Sequence, residues 1–90
     1  MSEHATFARA VQRIAIAEFT ERELEVAYLL VVECLPTDEV AGRLSISPRT
    51  IDSHITNIRG KLPEHITDGR APRLTPLFAA YWFEAGRSAA

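Results

Sequence analysis

Apolar and polar positions along this chain recur at helical rather than strand spacing, in five stretches divided by proline, glycine or short polar breaks. In residues 3–17, Phe7, Ala10, Val11 and Ile14 fall at i, i+3, i+4 and i+7, with Arg9, Gln12 and Arg13 between them. The spacing predicts a helix with one apolar face, suited either to cover the core as a lid or to meet a second subunit. Phe19-Thr20-Glu21-Arg22-Glu23-Leu24 carries two start signals together. Thr20 and Glu23 are spaced for a capping box, in which each side chain satisfies a backbone N–H near the other, and Phe19 and Leu24 are placed to staple the entry. Glu21, Glu23 and Glu25 suit the positive end of that helix's dipole. The helix runs through Leu24, Ala27, Tyr28, Val31 and Val32 and stops before Pro36, whose ring and missing N–H cannot continue it.

Next, Thr37-Asp38-Glu39-Val40-Ala41-Gly42-Arg43-Leu44 reads as a helix of two turns, joined to the following start by only Ser45 and Ile46. Ser47 can cap through its side-chain oxygen, and Pro48 fits the first helical position because its N–H would have had no partner there. Ile51, Ile55, Ile58 and Leu62 then mark a buried stripe, leaving Arg49, Asp52, Ser53, Thr56 and Asn57 near the opposite face. Two helices linked by so short a turn cross steeply, with Ala41 small enough for close approach and Val40, Leu44, Ile46 and Ile51 forming the apolar corner. This is a helix-turn-helix pattern, whose second helix is fit for a major groove. A helical hairpin in an ordinary bundle has the same spacing, and the fold alone does not choose between them.

Leu62-Pro63 ends the second helix, and residues 63–73 read as a loop of about eleven residues, long for a compact domain. On it, Arg70 and Arg73 are placed to meet phosphate, or His65 and Ile66 to form a turn against the core. Thr75 and Pro76 open a last helix that runs to Gly86. With Leu77, Phe78, Tyr81, Trp82 and Phe83 it is apolar nearly all round, so it must be covered on more than one side, by the N-terminal helix or a second subunit. Large aromatics favour interfaces, so Leu77, Phe78, Tyr81 and Trp82 are expected at a homodimer contact.

Ninety residues are enough for one domain with a modest core, and 47% apolar with 24% charged residues excludes a disordered chain. The charge-free apolar run at residues 26–32 is far shorter than the ~20 residues of a membrane span, and no signal segment precedes it. A cytoplasmic protein with no membrane contact is expected. Cys34 is single, which excludes an internal disulfide and suggests a small buried apolar side chain. His4, His54 and His65 are too scattered for a metal site, no cofactor or small-molecule ligand is indicated, and no paired carboxylates, phosphate loop or based nucleophile suggest an enzyme. The net charge of −2 runs against the basic surplus of most DNA binders. Its placement matters more than its total: the acidity sits in the N-terminal third, whereas residues 37–62 set Arg43, Arg49, Arg59 and Lys61 against Asp38, Glu39 and Asp52.

The run from Phe19-Thr20-Glu21-Arg22-Glu23-Leu24-Glu25-Val26 through residues 37–47 to Thr50-Ile51-Asp52-Ser53-His54, Ile58 and Lys61-Leu62 resembles the LuxR/GerE helix-turn-helix domain, also found at the C-terminus of NarL-like response regulators. The likeness covers about half the chain, in order and with the right gaps; sigma-factor region 4 shares a looser version of it. It implies an all-α fold, a four-helix LuxR/GerE-like domain over residues 19–86, here with an extra N-terminal helix in residues 1–18 and a flexible tail at 87–90. It also implies a bacterial transcription regulator in which residues 47–62 form the recognition helix and the last helix dimerises. The chain is expected to stand alone, without a sensor domain.

On that frame Arg49, Asp52, Ser53, Thr56 and Asn57 are expected at base edges, and Thr37, Thr50, His54, Arg59 and Lys61 at the DNA backbone. The family usually has lysine where this chain has Asp52. A carboxylate is repelled by phosphates and by guanine's acceptors, so Asp52 either reads a cytosine amine or marks a surface no longer devoted to DNA. The alternative function is accordingly a helix-turn-helix module that binds RNA polymerase or another regulator, as an anti-activator for example, with weak or no DNA binding.

Overall fold

The computed structural model describes residues 2–62 and 75–89, and every described element is helical: α1 Glu3–Ile14, α2 Glu21–Val31, α3 Thr37–Leu44, α4 Pro48–Gly60 and α5 Thr75–Ala89. The all-α class and the extra N-terminal helix are as the sequence indicates. Local chemistry sets most of the boundaries. At α2 both halves of the capping box form: the Glu23 N–H donates to Thr20 Oγ1 at 3.1 Å, and the Thr20 N–H to Glu23 Oε1 at 2.9 Å. Helix α1 is capped by Ser2, whose Oγ accepts from the Ala5 N–H, and it stops at Ile14 rather than Ala17. Just beyond it Ala15 is extended, and the Ile16 N–H is drawn off to the Lys61 carbonyl at 2.8 Å.

Helix α2 lies at the centre. Val26, Ala27, Tyr28 and Val31 are buried on it, with Phe7, Ala10, Val11, Leu77 and Tyr81 from α1 and α5 to one side and Val40, Ala41, Ile51, Ile58 and Leu62 from the α3–α4 pair to the other. Alanine at positions 27 and 41 keeps these approaches close. Each large apolar side chain fully buried this way stabilises the fold by about 1.5–3 kcal/mol. The Phe7 ring meets Tyr28 edge-on at 5.8 Å and Tyr81 at 6.2 Å, joining the two ends of the chain through its middle. The Tyr28 hydroxyl donates to Glu3 Oε2 at 2.9 Å. Burial, with the Glu3 carboxylate beside it, pushes the Tyr28 phenol up to about 12.

Helices α1 and α5 form the most extensive helix pair. Arg13 forms an ion pair with Glu84, whose side chain is 2% exposed, and Arg87 approaches the same carboxylate at 3.8 Å. The guanidinium groups of Arg13 and Arg87 also lie over the Phe83 ring, at 5.6 and 5.9 Å from its centroid. This packing alters what α5 offers. Leu77 and Tyr81, expected at a dimer contact, are buried within the protomer, whereas Trp82 and Phe83 are each 58% exposed. Helix α5 also continues through Gly86 to Ala89, with Arg87 suited to the negative end of its dipole.

Cys34 corrects an expectation. It is exposed, not buried, because it sits just past α2 in the left-handed region at φ 54°, where the chain reverses toward Pro36. The loop expected at residues 63–73, with His65, Ile66, Arg70 and Arg73, lies outside the described residues, as do the side chains of Thr75, Pro76 and Phe78.

Candidate nucleic-acid interface

The turn between α3 and α4 is closed by backbone geometry rather than by glycine. Ser45 adopts φ 56°, ψ 41°. Its N–H donates to the Gly42 carbonyl at 3.3 Å, and the next N–H, of Ile46, donates to the Ala41 carbonyl at 3.0 Å. These are the two bonds of a Schellman ending, and Ile46 folds back as the partly buried apolar partner such endings carry. One residue later Ser47 starts α4: its Oγ accepts from the Thr50 N–H at 3.1 Å and lies 2.9 Å from the Thr50 hydroxyl. The proline at the first helical position adds a fixed φ. The angle between α3 and α4 is therefore set by bonds on both sides of a three-residue link.

Helix α4 divides as its spacing predicts. Ile51, Ile58 and Leu62 are buried and Ile55 is partly so, while Arg49, Asp52, Ser53, Thr56 and Asn57 are all exposed. The five residues expected at base edges thus share one open side. Of those expected at the DNA backbone, Thr50 is exposed beside them, and Thr37, His54, Arg59 and Lys61 are half-buried around the edge. Two hydroxyls on the open side are used inward: Ser53 Oγ donates to the Arg49 carbonyl at 3.3 Å and Thr56 Oγ1 to the Asp52 carbonyl at 3.0 Å.

The four cations of this region are not equivalent. Arg43 lies 3.8 Å from Glu33. Lys61 donates from Nζ to Glu23 Oε1 at 2.5 Å, and that carboxylate is nearly buried. Burial alone would raise the Glu23 carboxyl, but the Lys61 ammonium and the Thr20 N–H and hydroxyl outweigh it and hold it below the usual 4.5. One glutamate therefore both caps α2 and fastens the end of α4, and the Ile16 N–H on the Lys61 carbonyl secures that end a second time. Arg49 has no ion pair among the described residues. Arg59 has its Nε shut away from solvent without an acceptor among the described residues. Residue spacing carries no signal for the Glu23–Lys61 link, whose partners lie 38 residues apart.

A short helix, a locked turn and a second helix propped on its apolar side with its polar side open make up the DNA-reading unit of helix-turn-helix regulators. Residues 17–65 match the family model of bacterial regulatory proteins, luxR family, and the chain belongs to that family. At that level it is a helix-turn-helix DNA-binding regulator rather than an enzyme. No curated protein and no solved structure matches it. The matched span holds α2, α3 and α4, and both helices of the tightest pair, α1 and α5, fall outside it. Among the described residues no helix is long and apolar enough to cross a membrane.

Proposed function

We propose that this protein is a cytoplasmic transcription regulator that places α4 in the major groove of duplex DNA, two copies reading half-sites about one helical turn, ~34 Å, apart. Arg49, Asp52, Ser53, Thr56 and Asn57 face base edges, while Thr37, Thr50, His54 and Arg59 take the backbone. Lys61, already held by Glu23, serves this contact by fixing the helix end from which Arg59 projects. The observation that carries the reading is the joint exposure of Arg49, Asp52, Ser53, Thr56 and Asn57 on the side of α4 opposite a buried isoleucine stripe. The test is binding to a random duplex pool across a salt series: affinity should fall steeply with salt, and a flat response removes the phosphate contacts.

A second reading, protein recognition by the same module with RNA polymerase or another regulator as partner, is favoured by the engagement of Arg43 and Lys61 inside the chain. Asp52→Lys separates the two. On the DNA reading it changes the preferred sequence, and on the other it creates non-specific DNA binding where none existed.

A further inference from the structure

The open side of α4 has a polarity of its own. Arg49, at its N-terminal end, can only donate. Asp52, Ser53 and Thr56 behind it mostly accept: the carboxylate of Asp52 has no ion pair among the described residues, and the hydroxyl protons of Ser53 and Thr56 are spent on the carbonyls four residues back, leaving lone pairs outward. A cluster of acceptors in a groove edged by phosphates must meet donors. The only donors that base edges offer in the major groove are the exocyclic amines of cytosine and adenine. Carboxylates pair with the cytosine amine, whereas adenine sets its own N7 acceptor beside its amine, where a carboxylate is repelled. Arg49 and Asp52 stand about 4.5 Å apart along the helix axis, little more than one ~3.4 Å base step.

We infer that Asp52, flanked by the outward lone pairs of Ser53 and Thr56, is a specificity residue that selects a cytosine by its amine, with a guanine taken by Arg49 about one step away. The inference rests on the DNA reading above and adds what that reading leaves open, the composition of the half-site. It also gives the acidic residue on the open side of the helix a positive role. The carboxylate weakens binding to every duplex that sets an acceptor opposite it, so the chain gains discrimination at the expense of non-specific affinity.

The experiment uses the full chain and a duplex it enriches from a random pool at low salt. Each cytosine of the enriched half-site is replaced in turn by N4-methylcytosine, which keeps its pairing with guanine and sets the methyl where the groove-facing N–H had been. At one cytosine next to a guanine, affinity should fall about ten-fold. The same replacement should change the affinity of Asp52→Asn by less than about two-fold, and that variant should enrich adenine at the position, because an amide matches adenine's amine and N7 together. Enriched duplexes without a common cytosine, methylation without effect at every cytosine, or Asp52→Asn binding all sequences more tightly by the same factor would each overturn the inference and leave DNA binding standing. Absence of duplex binding at low salt would overturn both.

Discussion

Arg59 and Lys61 stand two residues apart at the end of α4 and carry the same charge, but their surroundings assign them different work. Lys61 neutralises the buried Glu23 carboxylate, so Lys61→Ala leaves a desolvated charge with only its capping bonds and should destabilise the fold by roughly 2 kcal/mol, read as a lower urea midpoint. The slope of log affinity against log salt should stay as it was. Arg59→Ala should do the reverse, reducing that slope by about one per protomer with a small change in stability; equal slopes for the two variants would undo the division. The same pair sets the acid limit. Because Glu23 titrates lower in the folded chain than its ordinary 4.5, its contribution is complete above that value and is lost as pH falls through the depressed one. Wild type should thus lose stability on acidification below about 4.5, and Glu23→Gln should show a shallower loss over the same window. Coincident acid limbs in urea titrations of the two proteins would count against this.

At the scale of elements, the turn between α3 and α4 holds a residue in a conformation it does not favour. A side chain in the left-handed region costs about 1 kcal/mol, so Ser45→Gly should stabilise the protein by roughly 0.5 kcal/mol after the extra freedom of an unfolded glycine is counted. Ser45→Val, with a β-branched side chain there, should cost about 1–2 kcal/mol. If both variants unfold at the wild-type midpoint, the turn is not under this constraint. The same elements separate what sequence spacing reveals from what it hides. Thr20 with Glu23, Ser47 with Pro48, and the Ile51, Ile55, Ile58 and Leu62 stripe were legible because each rests on contacts within one or two helical turns. Ser45 was not, since glycine or asparagine normally marks a left-handed ending and serine carries no such mark. Nor was Lys61, because its partner lies 38 residues away and only the packing of α4 against α2 brings the two together.

In the whole molecule the decisive contact is between the two ends of the chain. The near-complete apolar girth of α5 required more than one cover, and α1 supplies the first by taking Tyr81 against Phe7 and by burying Glu84 beneath Arg13, with Leu77 buried in the same core. Among the described side chains of α5, the large apolar ones turned outward are Trp82, edge-on to Tyr81, and Phe83 beneath its two arginines. We therefore expect a homodimer through α5 to use Trp82 and Phe83, with the buried Leu77 and Tyr81 acting behind them as support. Aromatic anchors of this size carry the largest single contributions in interfaces, commonly 2 kcal/mol or more, so losing two per protomer should weaken pairing by several powers of ten. Sedimentation of the wild-type chain at micromolar concentration should give twice the 10.0 kDa protomer mass. Trp82→Ala/Phe83→Ala should give the protomer mass with its helical circular dichroism unchanged. A dimer that survives the double substitution would move the interface away from α5. A wild-type chain that sediments as a protomer would mean that the cover within one molecule is enough and that each half-site is read by an independent molecule.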